Sequence, residues 1–118
     1  MTTTLISIGG LCIAAALGAS IRVLCIAHLN GPFPTGTLII NLVASFGLGM
    51  LVNAEPPWDV VIGVGALGAL STWSSVANDV GALARQGEGP LALAFLVCTV
   101  ATSILAAWVG LQLAPAMW

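Results

Sequence analysis

Residues 63–79 read Gly63-Val64-Gly65-Ala66-Leu67-Gly68-Ala69-Leu70-Ser71-Thr72-Trp73-Ser74-Ser75-Val76-Ala77-Asn78-Asp79. As far as Leu70 the stretch is small and apolar, as a helix crossing a bilayer requires. Beyond it, Ser71, Thr72, Ser74 and Ser75 gather around Trp73. Two arrangements fit this polar knot. Either the hydroxyls bond back to carbonyls of their own helix, or the helix breaks here, and irregular backbone at membrane depth must then be buried in protein or line a watery cavity. A break would free carbonyl and N–H groups that can meet an ion.

The rest of the chain supplies the membrane context. Hydrophobic residues make up 59% of the 118 residues and charged residues 5%, against about a quarter charged in soluble domains. The apolar residues fall into four runs, about 5–26, 37–52, 60–83 and 91–113, separated by Gly31-Pro32-Phe33-Pro34, Asn53-Ala54-Glu55-Pro56-Pro57 and Arg85-Gln86-Gly87-Glu88-Gly89-Pro90. Proline and glycine cannot carry a helix through those joints. The expected fold is all-α: an integral membrane protein with four transmembrane helices, the third broken near its middle, forming one domain over residues 1–118. No Lys or Arg precedes the first run, so it reads as a retained helix and not as a cleaved signal.

Charge and cysteine content exclude several classes. The formal net charge is −2, and Arg22 and Arg85 are the Lys/Arg residues, so there is no basic patch for nucleic acid or anionic lipid. With four spans both termini lie on one side and the loops that contain or border Arg22 and Arg85 on the other, a bias toward external termini too weak to exclude insertion in both orientations. Cys12, Cys25 and Cys98 lie inside spans without metal-site or disulfide spacing and are expected to pack as apolar residues. Gly63-Val64-Gly65-Ala66-Leu67-Gly68 spells a dinucleotide-type glycine motif, but that motif needs a preceding strand in a soluble βαβ unit. No Ser–His–Asp, Cys–His or metal constellation is present, so an enzyme is not expected.

Small residues four apart, Ala14 with Gly18 and Gly65 with Ala69, suit close helix packing. Trp58, Trp108 and Trp118 fall near span ends, where an indole keeps its ring in lipid and its N–H in water; Trp73 does not. Asn41, inside the second span, is either interhelical glue or part of a pathway. Arg22 is near enough to its span end to snorkel, His28 is interfacial, and Asp79 is placed to cap or pair. No acid lies mid-span, which argues against a proton-coupled exporter.

Three segments in order, Ala16-Leu17-Gly18-Ala19-Ser20-Ile21-Arg22, Pro34-Thr35-Gly36-Thr37-Leu38-Ile39-Ile40-Asn41 and Gly65 through Ser75, resemble the Fluc (CrcB) fluoride channels across essentially the whole chain. The resemblance implies four-span subunits that pair antiparallel, form fluoride pores and hold a structural sodium ion at the dimer centre. It implies further that main-chain carbonyls of Gly68 and Ser71 bind the sodium. Asn41 would line the fluoride path, with Trp73 offering an aromatic edge or indole N–H, and Thr37, Thr72, Ser75, Thr99 and Ser103 as hydroxyl donors. Arg22 would stand near the vestibule. Fluoride holds its water tightly, so a pore must replace that shell with donors.

Two positions depart from the family. Where its pattern reads TTFSTF, this chain has Ser71-Thr72-Trp73-Ser74-Ser75-Val76, and Val76 has no ring edge to offer. Asp79 stands where glutamate is frequent. The resemblance therefore implies either a homodimer with altered pores or one subunit of a heterodimer whose second family member supplies the missing aromatics. The expected setting is the inner (plasma) membrane, multi-pass, with fluoride and lipid as partners. A small multidrug exporter and a non-conducting assembly subunit are the rival classes.

Overall fold

The computed structural model describes residues 1–114. Helix α1 spans Thr2–Leu29. It stops where Asn30 turns extended, ahead of Pro32 and Pro34, which have no N–H to continue a helix. Helix α2 follows at Thr35–Met50; at 1.5 Å per residue it is about 24 Å long, short of a hydrocarbon core of about 30 Å. The segments Thr4–Leu29, Asp59–Arg85 and Gly89–Leu113 are long and apolar enough to cross. The protein is a multi-pass, all-helical membrane protein, as its sequence leads one to expect.

The third segment is composite. A π-helical stretch, Asp59–Leu67, leads into a single α turn, α3, at Gly68–Leu70. The backbone then runs extended through Ser71 and Thr72 before helix α4 begins at Trp73–Arg85. The break expected near the middle of this span is thus present, at Ser71–Thr72. The π-helical stretch was not expected, because π-helices are rare and carry no sequence signature of their own. It lies directly on α1: a Cβ at Gly18 would collide with the Ala66 carbonyl, and one at Gly65 would sit 3.1 Å from the Leu11 carbonyl oxygen and 3.2 Å from Ala14 Cβ. Close backbone approach through small residues is how membrane helices gain contact energy without a hydrophobic drive.

Helix α5, Gly89–Leu113, pairs with α2 in the same way. A Cβ at Gly49 would strike the Ala107 carbonyl and one at Gly110 the Phe46 carbonyl, so a second glycine seam fixes this pair. Two apolar clusters complete the packing. Val76, Leu83, Ala92 and Phe95 join α4 to α5, with Phe33 edge-on to Phe95 at 5.6 Å. Ile40, Ala44 and Leu70 meet Cys25, Ile26 and Leu67, which wedges the residue just before the break between α1 and α2.

The outer surface is apolar, with Leu17, Ile21, Leu93, Val97 and Ile104 exposed, as lipid contact demands. Trp58 and Trp108 are exposed near helix ends; Trp118 lies outside the described residues. Of the three thiols, Cys25 packs partly inside, while Cys12 and Cys98 face outward. Outward-facing positions in lipid accept a small apolar side chain as readily as the core does.

Candidate functional site

The site begins at the first turn of α2. Its N-cap, Pro34, has no side chain that could satisfy the exposed helix N–H groups. Asn30 does so from outside the helix: the Thr37 N–H donates to Asn30 Oδ1 at 3.1 Å. A backbone N–H can only donate, so the amide oxygen must face it, and Asn30 Nδ2 donates to Thr37 Oγ1 at 3.2 Å. The Thr37 hydroxyl in turn donates a hydrogen bond to Asp79 Oδ2 on α4 at 2.5 Å.

One turn further along α2, the same logic fixes Asn41. Its Nδ2 donates to the Thr37 carbonyl at 2.9 Å, and its Oδ1 accepts from the Ser71 hydroxyl at 2.7 Å. The hydrogen bond from Ser71 therefore ties the helix break to α2. One Asn41 amide hydrogen is committed to Thr37, and Asn41 is also among the residues that line a groove.

That groove has a volume of about 270 Å³ and runs between α2, the break and α5. Asn41 and Ser45 line it from α2, Thr99 and Ser103 from α5, and Ser71, Trp73 and Val76 from the break and the start of α4. Spacing of four residues puts each helical pair on one face, so two short polar tracks face each other inside an apolar bundle. Asn41 is 6% exposed and Thr99 3%. The Thr99 hydroxyl has no hydrogen-bond partner at all. Trp73 is 65% exposed, and Val76 forms wall beside Phe95.

Of the eight pore residues expected from sequence, the groove gathers four: Asn41, Trp73, Thr99 and Ser103. Thr37 stands behind the wall, fully buried, its proton committed to Asp79. Thr72 serves as N-cap of α4, its Oγ1 accepting from the Ser74 N–H at 3.1 Å and sharing a hydrogen bond with Ser74 Oγ at 2.7 Å. Ser75 lies half-buried on α4 and Arg22 half-buried on α1, neither among the residues that line the groove. Ser45 and the Ser71 hydroxyl were not expected there. The spacing from Asn41 could have found Ser45, but a serine in a span is equally able to bond its own helix, as Ser20 does with the Ala16 carbonyl at 2.8 Å.

The break also leaves backbone groups without helical partners. Ser71 N–H still donates to Leu67 at 2.9 Å. Beyond it the chain is extended, so the carbonyls of Gly68, Ala69 and Leu70 lack the N–H that a continuing helix would supply. Among the described residues no group of three His, Cys, Asp or Glu side chains converges to hold a metal.

Residues 10–111 match the family model for CrcB-like protein, Camphor Resistance (CrcB). The chain belongs to the CrcB family. Among its relatives within CrcB, the Fluoride-specific ion channel FluC of Vibrio vulnificus (strain YJ016) is 39% identical, over 90% of this chain and 93% of its own length. Fluoride-specific ion channel FluC 2 of Corynebacterium diphtheriae is 38% identical over 90% of this chain and 99% of its own length. A FluC of Chelativorans sp. (strain BNC1) is 37% identical over 87% of this chain. The CrcB family is thus one of fluoride channels and not of enzymes.

Proposed function

We propose that this chain is the subunit of a passive, fluoride-selective channel that relieves cells of cytoplasmic fluoride across the plasma membrane, as a single four-helix domain paired antiparallel with a second subunit. The observation that carries this reading is the Thr99 hydroxyl: a buried polar group without a partner, on the wall of a groove that Asn41 also lines. Leaving a buried hydroxyl unsatisfied costs about 1–3 kcal/mol, and a site that persists in that state is arranged for something that visits it. Fluoride is small and strongly hydrated, and it accepts hydrogen bonds from amide and hydroxyl donors. Asn41, Ser45, Thr99 and Ser103 can replace part of its water shell in sequence. The Trp73 indole N–H would meet the anion at the exposed end.

The residues at the break suit a structural sodium ion at the dimer centre. Gly68 is exposed, its carbonyl and those that follow lack helical N–H partners, and Ser71 lies where the chain leaves the helix. When bound, the ion would supply positive charge that joins the two breaks. Ser71 would then face two ways, with its carbonyl toward the ion and its hydroxyl on Asn41.

Val76 favours a second arrangement of the same function. It is 1% exposed and packed with Phe95, an aliphatic wall where the family pattern has an aromatic edge. A second family member contributing that ring would make the channel a heterodimer. Expression in a bacterium lacking its own fluoride exporter tests both arrangements. Growth in fluoride rescued by this chain alone supports the homodimer, and rescue only with a second family member supports the heterodimer. Rescue by neither, with the protein in the membrane, contradicts a channel role and leaves the assembly subunit or multidrug transporter.

A further inference from the structure

Asn30 lies between α1 and α2, outside the groove, yet two of its side-chain atoms hold Thr37. Its Oδ1 accepts the Thr37 N–H at 3.1 Å and its Nδ2 donates to Thr37 Oγ1 at 3.2 Å. Gly36 makes room for this approach, since a Cβ there would lie 2.8 Å from Asn30 Oδ1 and 2.5 Å from the Cys25 carbonyl oxygen. The consequence concerns direction. A backbone N–H cannot accept, so the amide cannot flip; its nitrogen must then fill the Thr37 oxygen, and the Thr37 proton has Asp79 Oδ2 as its acceptor. By holding the Thr37 N–H, Asn30 also restrains the first turn of α2, where the Thr37 carbonyl receives the Asn41 amide at 2.9 Å.

We propose that Asn30 is a positioning residue: it sets the direction of an Asn30 to Thr37 to Asp79 relay, and through Thr37 it holds the Asn41 amide at the groove wall. The inference rests on the fluoride-channel reading for its functional consequence but not for the relay itself. It also gives Asp79 a defined task, accepting a hydrogen bond from Thr37 on α2 and so tying α4 to the helix that carries Asn41.

Asn30→Asp separates this role from simple capping. The substitution keeps an oxygen for the Thr37 N–H, and a negative charge suits a helix N-terminus. A cap alone therefore predicts unchanged or higher stability and unchanged flux. The relay predicts that two carboxylates now compete for one hydroxyl proton, leaving an acceptor unmatched. Fluoride efflux from proteoliposomes should fall about tenfold, with a lowered unfolding midpoint and the oligomer intact.

Adding Asp79→Asn to that variant reverses the relay: the new amide donates to the Thr37 oxygen, and the carboxylate at position 30 takes the proton. Asp79→Asn should thus lower the unfolding midpoint in the wild-type background and raise it in Asn30→Asp. Equal shifts in both backgrounds would overturn the relay, and Asn30→Asp channels conducting like wild type would overturn the positioning role. A wild-type chain silent to fluoride, alone and with a second family member, counts against the channel reading itself. The midpoint cycle needs no conduction and then decides the relay alone.

Discussion

Replacing Thr99 with valine exchanges a hydroxyl for a methyl of nearly the same size, at a site 3% exposed where that hydroxyl has no partner. Relieving an unsatisfied buried hydroxyl should recover about 1–2 kcal/mol, so Thr99→Val is expected to raise the unfolding midpoint in detergent. Fluoride loses a donor in the same step. A hydrogen bond to a charged acceptor is worth about 1.5–3 kcal/mol, and each 1.36 kcal/mol on a barrier is about tenfold in rate. Efflux should fall by about ten- to a hundredfold, measured with a fluoride electrode on proteoliposomes. Opposite signs are the diagnostic feature: most core substitutions that impair a protein also destabilise it. A less stable Thr99→Val would show that the hydroxyl has a structural partner, and unchanged efflux would show that fluoride does not pass it. Either result refutes the reasoning.

Other substitutions probe the frame around the groove. Ser71→Ala strands the Asn41 carbonyl oxygen and should cost about 1–2 kcal/mol together with a loss of flux, whereas Ser71→Thr keeps the 2.7 Å bond and should conduct; chemical unfolding and efflux on the same preparations check this. Thr72→Ala removes the α4 cap and should cost about 1 kcal/mol, with Thr72→Ser near neutral and the fluoride-to-chloride flux ratio unchanged, since Thr72 does not line the groove. Gly18→Ala drives a methyl into the Ala66 carbonyl and should destabilise by about 2 kcal/mol or more. Gly9→Ala, with open space around it, should be tolerated, and thermal unfolding separates the two.

How much of this was legible in the sequence depended on the range of the interaction. The four apolar runs and their Gly/Pro joints are local properties, and the helices fall where they indicate. The break was legible for the same reason: hydroxyls beside Trp73 mark it, and Thr72 caps the helix that restarts. The backbone of 59–67 was not legible, because its π form accompanies contact with α1 across Gly18 and Gly65. Thr37 was expected at the pore from the family resemblance, and one dimension shows no partner for its hydroxyl. Its partner, Asp79, is 42 residues away in sequence and beside it in space. Ser45 was passed over because nothing local tells a groove-facing serine from a back-bonded one. Family resemblance supplied what residue chemistry alone could not, namely fluoride as the ion to test on a groove of amide and hydroxyl groups.

The two polar tracks also explain why the bundle tolerates its polar content. Asn41 is held at both ends by Thr37 and Ser71, so its orientation is set by the fold itself. If fluoride passes the groove as proposed, donors fixed in advance need not reorganise, which is where preorganised sites gain over water. Thr99 is the complementary case, a donor left free on the opposite wall.

The most direct test is efflux from liposomes loaded with equal fluoride and chloride and reconstituted with this chain, alone and with a second family member, with no proton gradient applied. Rapid release of fluoride with chloride retained in at least one preparation is the expected result. Correctly inserted protein that releases neither ion, or both alike, would contradict fluoride-selective passage along the Asn41–Thr99 groove.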